Sequence, residues 1–197
     1  MAHHRSLGWL VLVLVLMGAW HSRGMAQLQA MEKPLELQKF MGSWYVLGHI
    51  PVKLAKEHLA YNAVETYSWD AKKQISVHYR FNEKADDGSI NDSYQRGWVH
   101  NEETSAEWRV SPKLPILGYA LSHLGFKLPY LIVDCAKDYS TAIVGYPSRA
   151  YLWIMSRKPE VSDAEYQSLV DKSKALGYDV EKIRKVPQKP GQTFAVP

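Results

Sequence analysis

Gly42-Ser43-Trp44-Tyr45, after Phe40 and leading into Val46-Leu47-Gly48-His49-Ile50-Pro51, is the stretch whose reading decides the fold. A glycine two residues before a tryptophan says little alone. Its weight comes from its place at the first strand-like run after an apolar leader. It gains more from a second stretch far downstream, Leu152-Trp153-Ile154-Met155-Ser156-Arg157.

Outward from that first strand, Ser43–Ile50, further strand-like runs recur with turn signals between them: Asn62–Trp69, Gln74–Phe81, Ser93–His100, Ala106–Ser111, Tyr130–Cys135, Thr141–Tyr146 and Ala150–Ser156. In Gln74–Phe81, Ile75, Val77, Tyr79 and Phe81 alternate with Gln74, Ser76, His78 and Arg80, the period of a half-buried strand. Pro51–Leu59 reads as an amphipathic connection with one or two helical turns, and Asp70-Ala71-Lys72-Lys73 as a tight turn. Residues 112–129 break the rhythm, because Pro112, Pro115 and Pro129 frame a long apolar segment and argue against a central strand.

One helix is expected. Ser162-Asp163-Ala164-Glu165 is a capping box, Tyr166, Leu169, Val170, Ser173 and Leu176 share a face, and Gly177 ends the run. Val180 to Val186 has room for a short ninth strand. Eight short strands at regular spacing predict an antiparallel barrel or sandwich. An eight-stranded up-and-down barrel is just wide enough for one small ligand.

Composition sets bounds. The 197 residues are 46% hydrophobic and 22% charged, with 12 Tyr and 7 Trp, as in a single globular β-rich domain. Residues 1–26 read as a signal peptide: His3, His4 and Arg5 precede the apolar run Leu7–Trp20, and Gly24-Met25-Ala26 offers a small-x-small cleavage site. The net charge of +4 falls to +2 when Arg5 and Arg23 leave with that segment, too little for a nucleic-acid partner. The domain is expected over 27–188 and a flexible tail over 189–197. Export is expected, to the outside, a periplasm or an organelle lumen, and with no cysteine near the cleavage site the chain is not expected to be a lipid-anchored lipoprotein.

Chemistry-bearing motifs are sparse. Cys135 is the single cysteine, so no intrachain disulfide forms; it reads as a small buried hydrophobe or, alternatively, as a reactive thiol. The histidines lack metal-ligand spacing and read as surface or mouth residues, with haem ligation by His123 or His49 the alternative. No nucleophile elbow, phosphate loop or dinucleotide fingerprint occurs, and no metal or cofactor is expected. Asn91-Asp92-Ser93 is an N-glycosylation sequon.

These stretches resemble those of the lipocalins, most of all the branch of bacterial outer-membrane lipocalins, plant temperature-induced lipocalins and apolipoprotein D. The resemblance rests on Gly42-Ser43-Trp44-Tyr45, on Lys137-Asp138-Tyr139 in place of a Thr-Asp-Tyr loop, and on Pro147 through Arg157. The helix followed by Gly177-Tyr178-Asp179-Val180 and Val186-Pro187-Gln188 adds to it, and the similarity covers roughly residues 35–188. It implies an all-β, eight-stranded antiparallel up-and-down barrel with one C-terminal helix packed outside. Gly42, Trp44 and Arg157 would form its closed end, with the guanidinium over the indole.

With Trp44 at the floor, alternation predicts the lining: Val46 and Ile50 on the first strand, Val77 and Tyr79 on the third, Val110 with Trp108 on the fifth, and Leu131 and Val133 on the sixth. Val144 with Ala142 follows on the seventh, and Tyr151, Trp153 and Met155 on the eighth. Gly48 counts inward on the same phase. The connections at 51–61, 82–92, 112–129 and 145–150 then fall at the mouth, where residues 115–126 would cap the cavity or touch a membrane. The resemblance implies binding and transport of a small hydrophobic ligand, such as a fatty acid, lysophospholipid, sterol, or isoprenoid including carotenoids, in membrane lipid maintenance or stress protection. The alternative is an enzyme on the same barrel, converting its bound lipid, with Cys135 the candidate nucleophile. A structural or complex-forming role is a third reading.

Overall fold

A computed structural model of the protein describes residues 26–69, 74–112 and 127–189. The leader, the expected turn at 70–73, the apolar segment 115–126 and the tail beyond 189 lie outside the described residues. A short helix, α1 (Leu37–Phe40), precedes β1 (Gly42–Ile50). Two 3₁₀ turns, Lys53–Ala55 and Glu57–Leu59, lead to β2 (Ala60–Trp69), β3 (Ile75–Glu83), β4 (Ile90–Val99), β5 (Glu107–Pro112), β6 (Leu128–Cys135), β7 (Thr141–Gly145) and β8 (Leu152–Ser156). Helix α2 (Asp163–Ala175) and a third 3₁₀ turn, Val180–Lys182, precede a two-residue β9 (Arg184–Lys185).

From β1 to β8 each strand pairs antiparallel with the next, and β1 pairs with β8 as well, so the sheet closes into a barrel with α2 outside. Closure removes the free edges that an open sheet would expose. The pairing of β1 is divided along its length. Gly42–Tyr45 face β2, whereas Val46–Ile50 face β8 and Gly48-His49 also pair with β9. Above Tyr45, β1 and β2 therefore part, and the chain after α2 fills the split. Val186 N–H donates to Leu47 O (2.8 Å) and Asn62 N–H to Pro187 O (2.8 Å). The Gln188 amide donates to Val46 O (2.8 Å) and Ala63 O (3.2 Å), stitching the two strands through one side chain.

The outer layer is a second apolar core. Leu169 of α2 packs with Leu131, Val133, Ile143, Leu152 and Ile154 of the barrel wall, together with Leu28 and Tyr178. The helix starts where Ser162 Oγ accepts from Glu165 N–H (3.2 Å). It stops in a Schellman motif, with Gly177 N–H to Lys174 O and Tyr178 N–H to Ser173 O, and Gly177 takes the required positive φ of 85°. Tyr178 lies so close over Gly145 that no Cβ fits there. Its hydroxyl donates to Tyr151 O (3.1 Å), tying the helix exit to the mouth-end turn before β8.

The floor is built around Trp44, fully buried in the register of β1. Its indole N–H donates to Phe40 O (2.9 Å), the end of α1. The Arg157 guanidinium lies 3.8 Å from the Trp44 ring centroid and donates to the carbonyls of Ser43 (2.8 Å), Lys39 (2.7 Å), Phe40 (3.1 Å) and Met41 (2.8 Å). Those of Lys39, Phe40 and Met41 are the carbonyls that the C-terminus of α1 leaves without a partner inside the helix, where a cation is favoured. Gly42, at φ 92°, turns the chain from α1 into β1 beneath this guanidinium. In the Lys137-Asp138-Tyr139 turn, Asp138 accepts from the Ser140 N–H (3.1 Å) and hydroxyl (2.7 Å), while the Tyr139 hydroxyl accepts from Glu36 N–H (2.8 Å) at the start of α1.

Arg157→Ala should lower unfolding stability by about 2–4 kcal/mol in urea titrations, through lost charge-assisted hydrogen bonds and the ring contact. Arg157→Lys should recover less than half, because an ammonium cannot fork to four carbonyls and stack on the indole together.

Candidate functional site

Register assigns the side chains to the two faces of the wall. Trp44 pairs with Glu65, Glu65 with Tyr79, and Tyr79 with Ser93, so these four share the interior face. Val46, Val77, Tyr79, Val110 and Val144 stand in the interior cluster with Trp108, Ala142 and Met155, and Trp153 packs against it half-buried. Tyr151 sits just before β8, its ring 6.4 Å from Trp153 and 5.7 Å from Tyr146.

Three expected lining residues stand elsewhere. Ile50, Leu131 and Val133 belong to the outer cluster beneath α2. On β1 the cause is a bulge between Val46 and Gly48, which shifts the alternation by one. A Cβ on Gly48 would strike the Tyr166 hydroxyl of α2, so Gly48 faces out and His49 faces in beside its partner Trp153. On β6 the inward residues are Tyr130 and Ile132. A bulge between Ile132 and Asp134 lets Asp134 face outward to Lys172 (2.7 Å) even though it lies two residues after an inward position. An alternation anchored on Asp134 therefore comes out inverted for the residues before it.

Above the floor comes an aromatic layer. Phe40 contacts Trp44, Tyr67 and Trp108 at 5.0, 5.3 and 5.5 Å between ring centroids, and Trp108 stacks on Tyr130 at 5.6 Å. The Tyr67 and Tyr130 hydroxyls bond to each other, and Tyr67 also reaches Met155 Sδ (3.7 Å).

The interior also holds polar groups that the apolar pattern did not announce. Glu57 and Glu65 are 6% and 4% exposed. Burial pushes the Glu57 carboxyl up to about 8, although Val52 N–H donates to its Oε2 (2.8 Å) and Trp153 also bonds to it. Burial likewise pushes Glu65 up to about 7, with the Tyr67 and Tyr130 hydroxyls offsetting part of the effect. Glu65 Oε2 and the Tyr79 hydroxyl have no hydrogen-bond partner, nor has either ring nitrogen of His49. Burial, then the Arg184 charge and His58, lower His49 to about 3, so it stays neutral. The strand β2 carries the signal that could have found Glu65: Ala63, Glu65 and Tyr67 share one phase, and Tyr67 belongs to the floor. Glu57 lies in a 3₁₀ turn of a connection and has no periodic signal.

Cys135 stands at the closed end of β6, half-buried. Burial, then the neighbouring Asp134, push its thiol up to about 11, the reverse of an activated nucleophile.

A closed eight-stranded antiparallel barrel with a plugged floor, an inward apolar lining and one helix laid outside defines the class of small up-and-down β-barrels wide enough for one small ligand. The lipocalin-like domain family matches residues 35–188, and the chain belongs to that family, which is known for binding small hydrophobic ligands. Temperature-induced lipocalin-1 of Arabidopsis thaliana is 29% identical over 158 residues, 79% of this chain and 81% of that protein. The outer membrane lipoprotein Blc of Escherichia coli K12 is 26% identical over 159 residues, 79% and 80% of the two chains. Among solved structures, insecticyanin of the tobacco hornworm Manduca sexta superimposes with a TM-score of 0.60 at 16% identity, over 85% of this chain and 86% of that one. Lobster apocrustacyanin A1 gives 0.56 at 16% identity, over 78% and 80%. These two share the fold.

The buried carboxyls make stability depend on pH. Each has a native pKa above its unfolded value of 4.5, so the native state holds more protons and stability falls as pH rises from about 4.5 to about 8. His49 acts in the opposite sense, costing stability as pH falls from 6.5 toward about 3. Glu65→Gln should flatten the decline between about pH 5 and 7 and Glu57→Gln that between about pH 5 and 8, a slope of up to about 1.4 kcal/mol per pH unit for each group, in urea titrations of the unliganded protein.

Proposed function

We propose that the protein binds and carries a small hydrophobic ligand inside the barrel, without turnover. The observation that carries this is the gradient of exposure along the inward face of β4. Gly97 is buried, Gln95 half-buried and Ser93 exposed, which supports a mouth at the end away from Trp44. A lining of Val46, Val77, Val110, Val144 and Trp153, sealed below by Trp44 and Arg157, suits a fatty acid, lysophospholipid, sterol or isoprenoid. Tyr79 and Tyr151 supply hydroxyls among these apolar walls.

The names of the two relatives support the setting: one is temperature-induced, the other an outer membrane lipoprotein. We take the protein to be exported through its apolar leader and to serve membrane lipids or stress protection. The raised Cys135 thiol favours carriage over conversion of the lipid.

The test uses an uncharged probe, a dibrominated long-chain fatty alcohol, whose bromines quench tryptophans they touch. Saturable quenching with about one ligand per chain, reduced by at least half in Trp153→Phe, is expected. Absence of saturable quenching, together with no lipid found by mass spectrometry in organic extracts of the purified protein, would refute the carrier reading.

A further inference from the structure

The polar groups in the interior lack a counterpart. Among the described residues, neither Glu57 nor Glu65 forms an ion pair with an arginine or lysine. Arg184, the cation whose field reaches Tyr79 and His49, is occupied: its guanidinium donates to Ala60 O (2.9 Å) and lies 5.7 Å from the Tyr61 ring centroid. His49 is neutral. The Glu65 charge thus reaches Glu57 within this buried interior, and no arginine or lysine among the described residues forms an ion pair with either.

The Tyr79 hydroxyl is a second and independent observation. It is buried and unpartnered, on the residue paired directly with Glu65, and both carboxyls act on it. The free Oε2 of Glu65 and the Tyr79 hydroxyl therefore stand unpartnered on paired residues, and the Glu57 carboxyl, itself bonded to Val52 N–H, lies within electrostatic reach of both. The Tyr67 and Tyr130 hydroxyls bond to Glu65 and Trp153 bonds to Glu57, so aromatic side chains border the two carboxyls, and ring faces attract cations. Buried acceptors that meet no donor cost free energy until a ligand supplies one. A donor that is also cationic relieves both deficits through charge-assisted hydrogen bonds.

We propose that Glu65, Glu57 and Tyr79 form an ammonium-binding site within the barrel, which selects single-chain amphiphiles with an amine head bound inward and the alkyl tail toward the mouth. This deepens the carrier reading and rests on it. The chemistry balances: a protonated Glu65 carboxyl meets an alkylammonium, one proton leaves to solvent, and a carboxylate–ammonium pair remains. An alkyl carboxylate offers no donor and would bring a negative charge into the same dry interior with no cation to pair it, and an alcohol offers one neutral donor.

Calorimetry at pH 6.5 with dodecylamine, 1-dodecanol and laurate, each below its micellar concentration, separates these cases. The amine is expected to bind at least tenfold more tightly than the alcohol, and laurate more weakly than either. The amine's heat should vary between buffers of different ionisation enthalpy, reporting proton release, whereas the alcohol's should not. Glu65→Gln should erase the amine preference and the proton release while keeping alcohol affinity within about threefold, which also shows that the variant is folded. Tyr79→Phe should reduce the preference severalfold. Equal affinity for amine and alcohol, or a preference that survives in Glu65→Gln, overturns the ammonium site and leaves the carrier reading standing. Binding of none of the three overturns both.

Discussion

Arg157 is the point on which the closed end depends. Its guanidinium meets an indole face and four backbone carbonyls from Lys39, Phe40, Met41 and Ser43, all within 3.1 Å for the hydrogen bonds. The contact is economical because both sides have unmet needs. The carbonyls at the end of α1 have no partner within so short a helix, and the indole must be held flat across the barrel. The residue that follows β8 thus fixes the residue that opens β1. Sheet closure and floor closure become one event, and the aromatic layer of Phe40, Tyr67, Trp108 and Tyr130 stands on it.

Because the floor is sealed by packing, the interior can host chemistry that an open barrel would flood. A carboxyl on Glu65 sits directly beside Trp44 in the ladder, as far from the mouth as β2 allows an inward group above Tyr67. In water it would be an ordinary carboxylate; here its proton is retained near neutrality. Selectivity in such a barrel depends on which buried polar atoms lack a mate, since apolar walls accept any greasy chain of fitting length.

The sequence made some of this legible and concealed the rest for physical reasons. The period-two run from Ile75 to Phe81 and the cap signals at Ser162 and Gly177 report local backbone states, and the structure has them in those states. The resemblance placed Trp44 and Arg157 at one end, where their contact is found. Ile50, Leu131 and Val133 depart from the alternation because parity carries across a strand only while the ladder is regular. A bulge is a one-residue insertion with no compositional mark in Val46-Leu47-Gly48 or Ile132-Val133-Asp134. Both faces of β6 and of the mouth-end half of β1 are covered, one by the interior and the other by α2, so hydrophobicity could not reveal the phase either. Glu65 is concealed because a single acid in a strand normally marks the wet face.

The split between β1 and β2 also bears on how the chain assembles. Residues 184–188 fill that gap, and Val46 must find Met155 before the wall is continuous. Nearly the whole domain has therefore to leave the ribosome before its first strand acquires all its neighbours. Contacts so distant in sequence slow folding, and until then the lining is open on one side. A chain that stays unfinished until its last segment arrives closes its wall only once the whole domain has been made, so the barrel and the cover over its split form together.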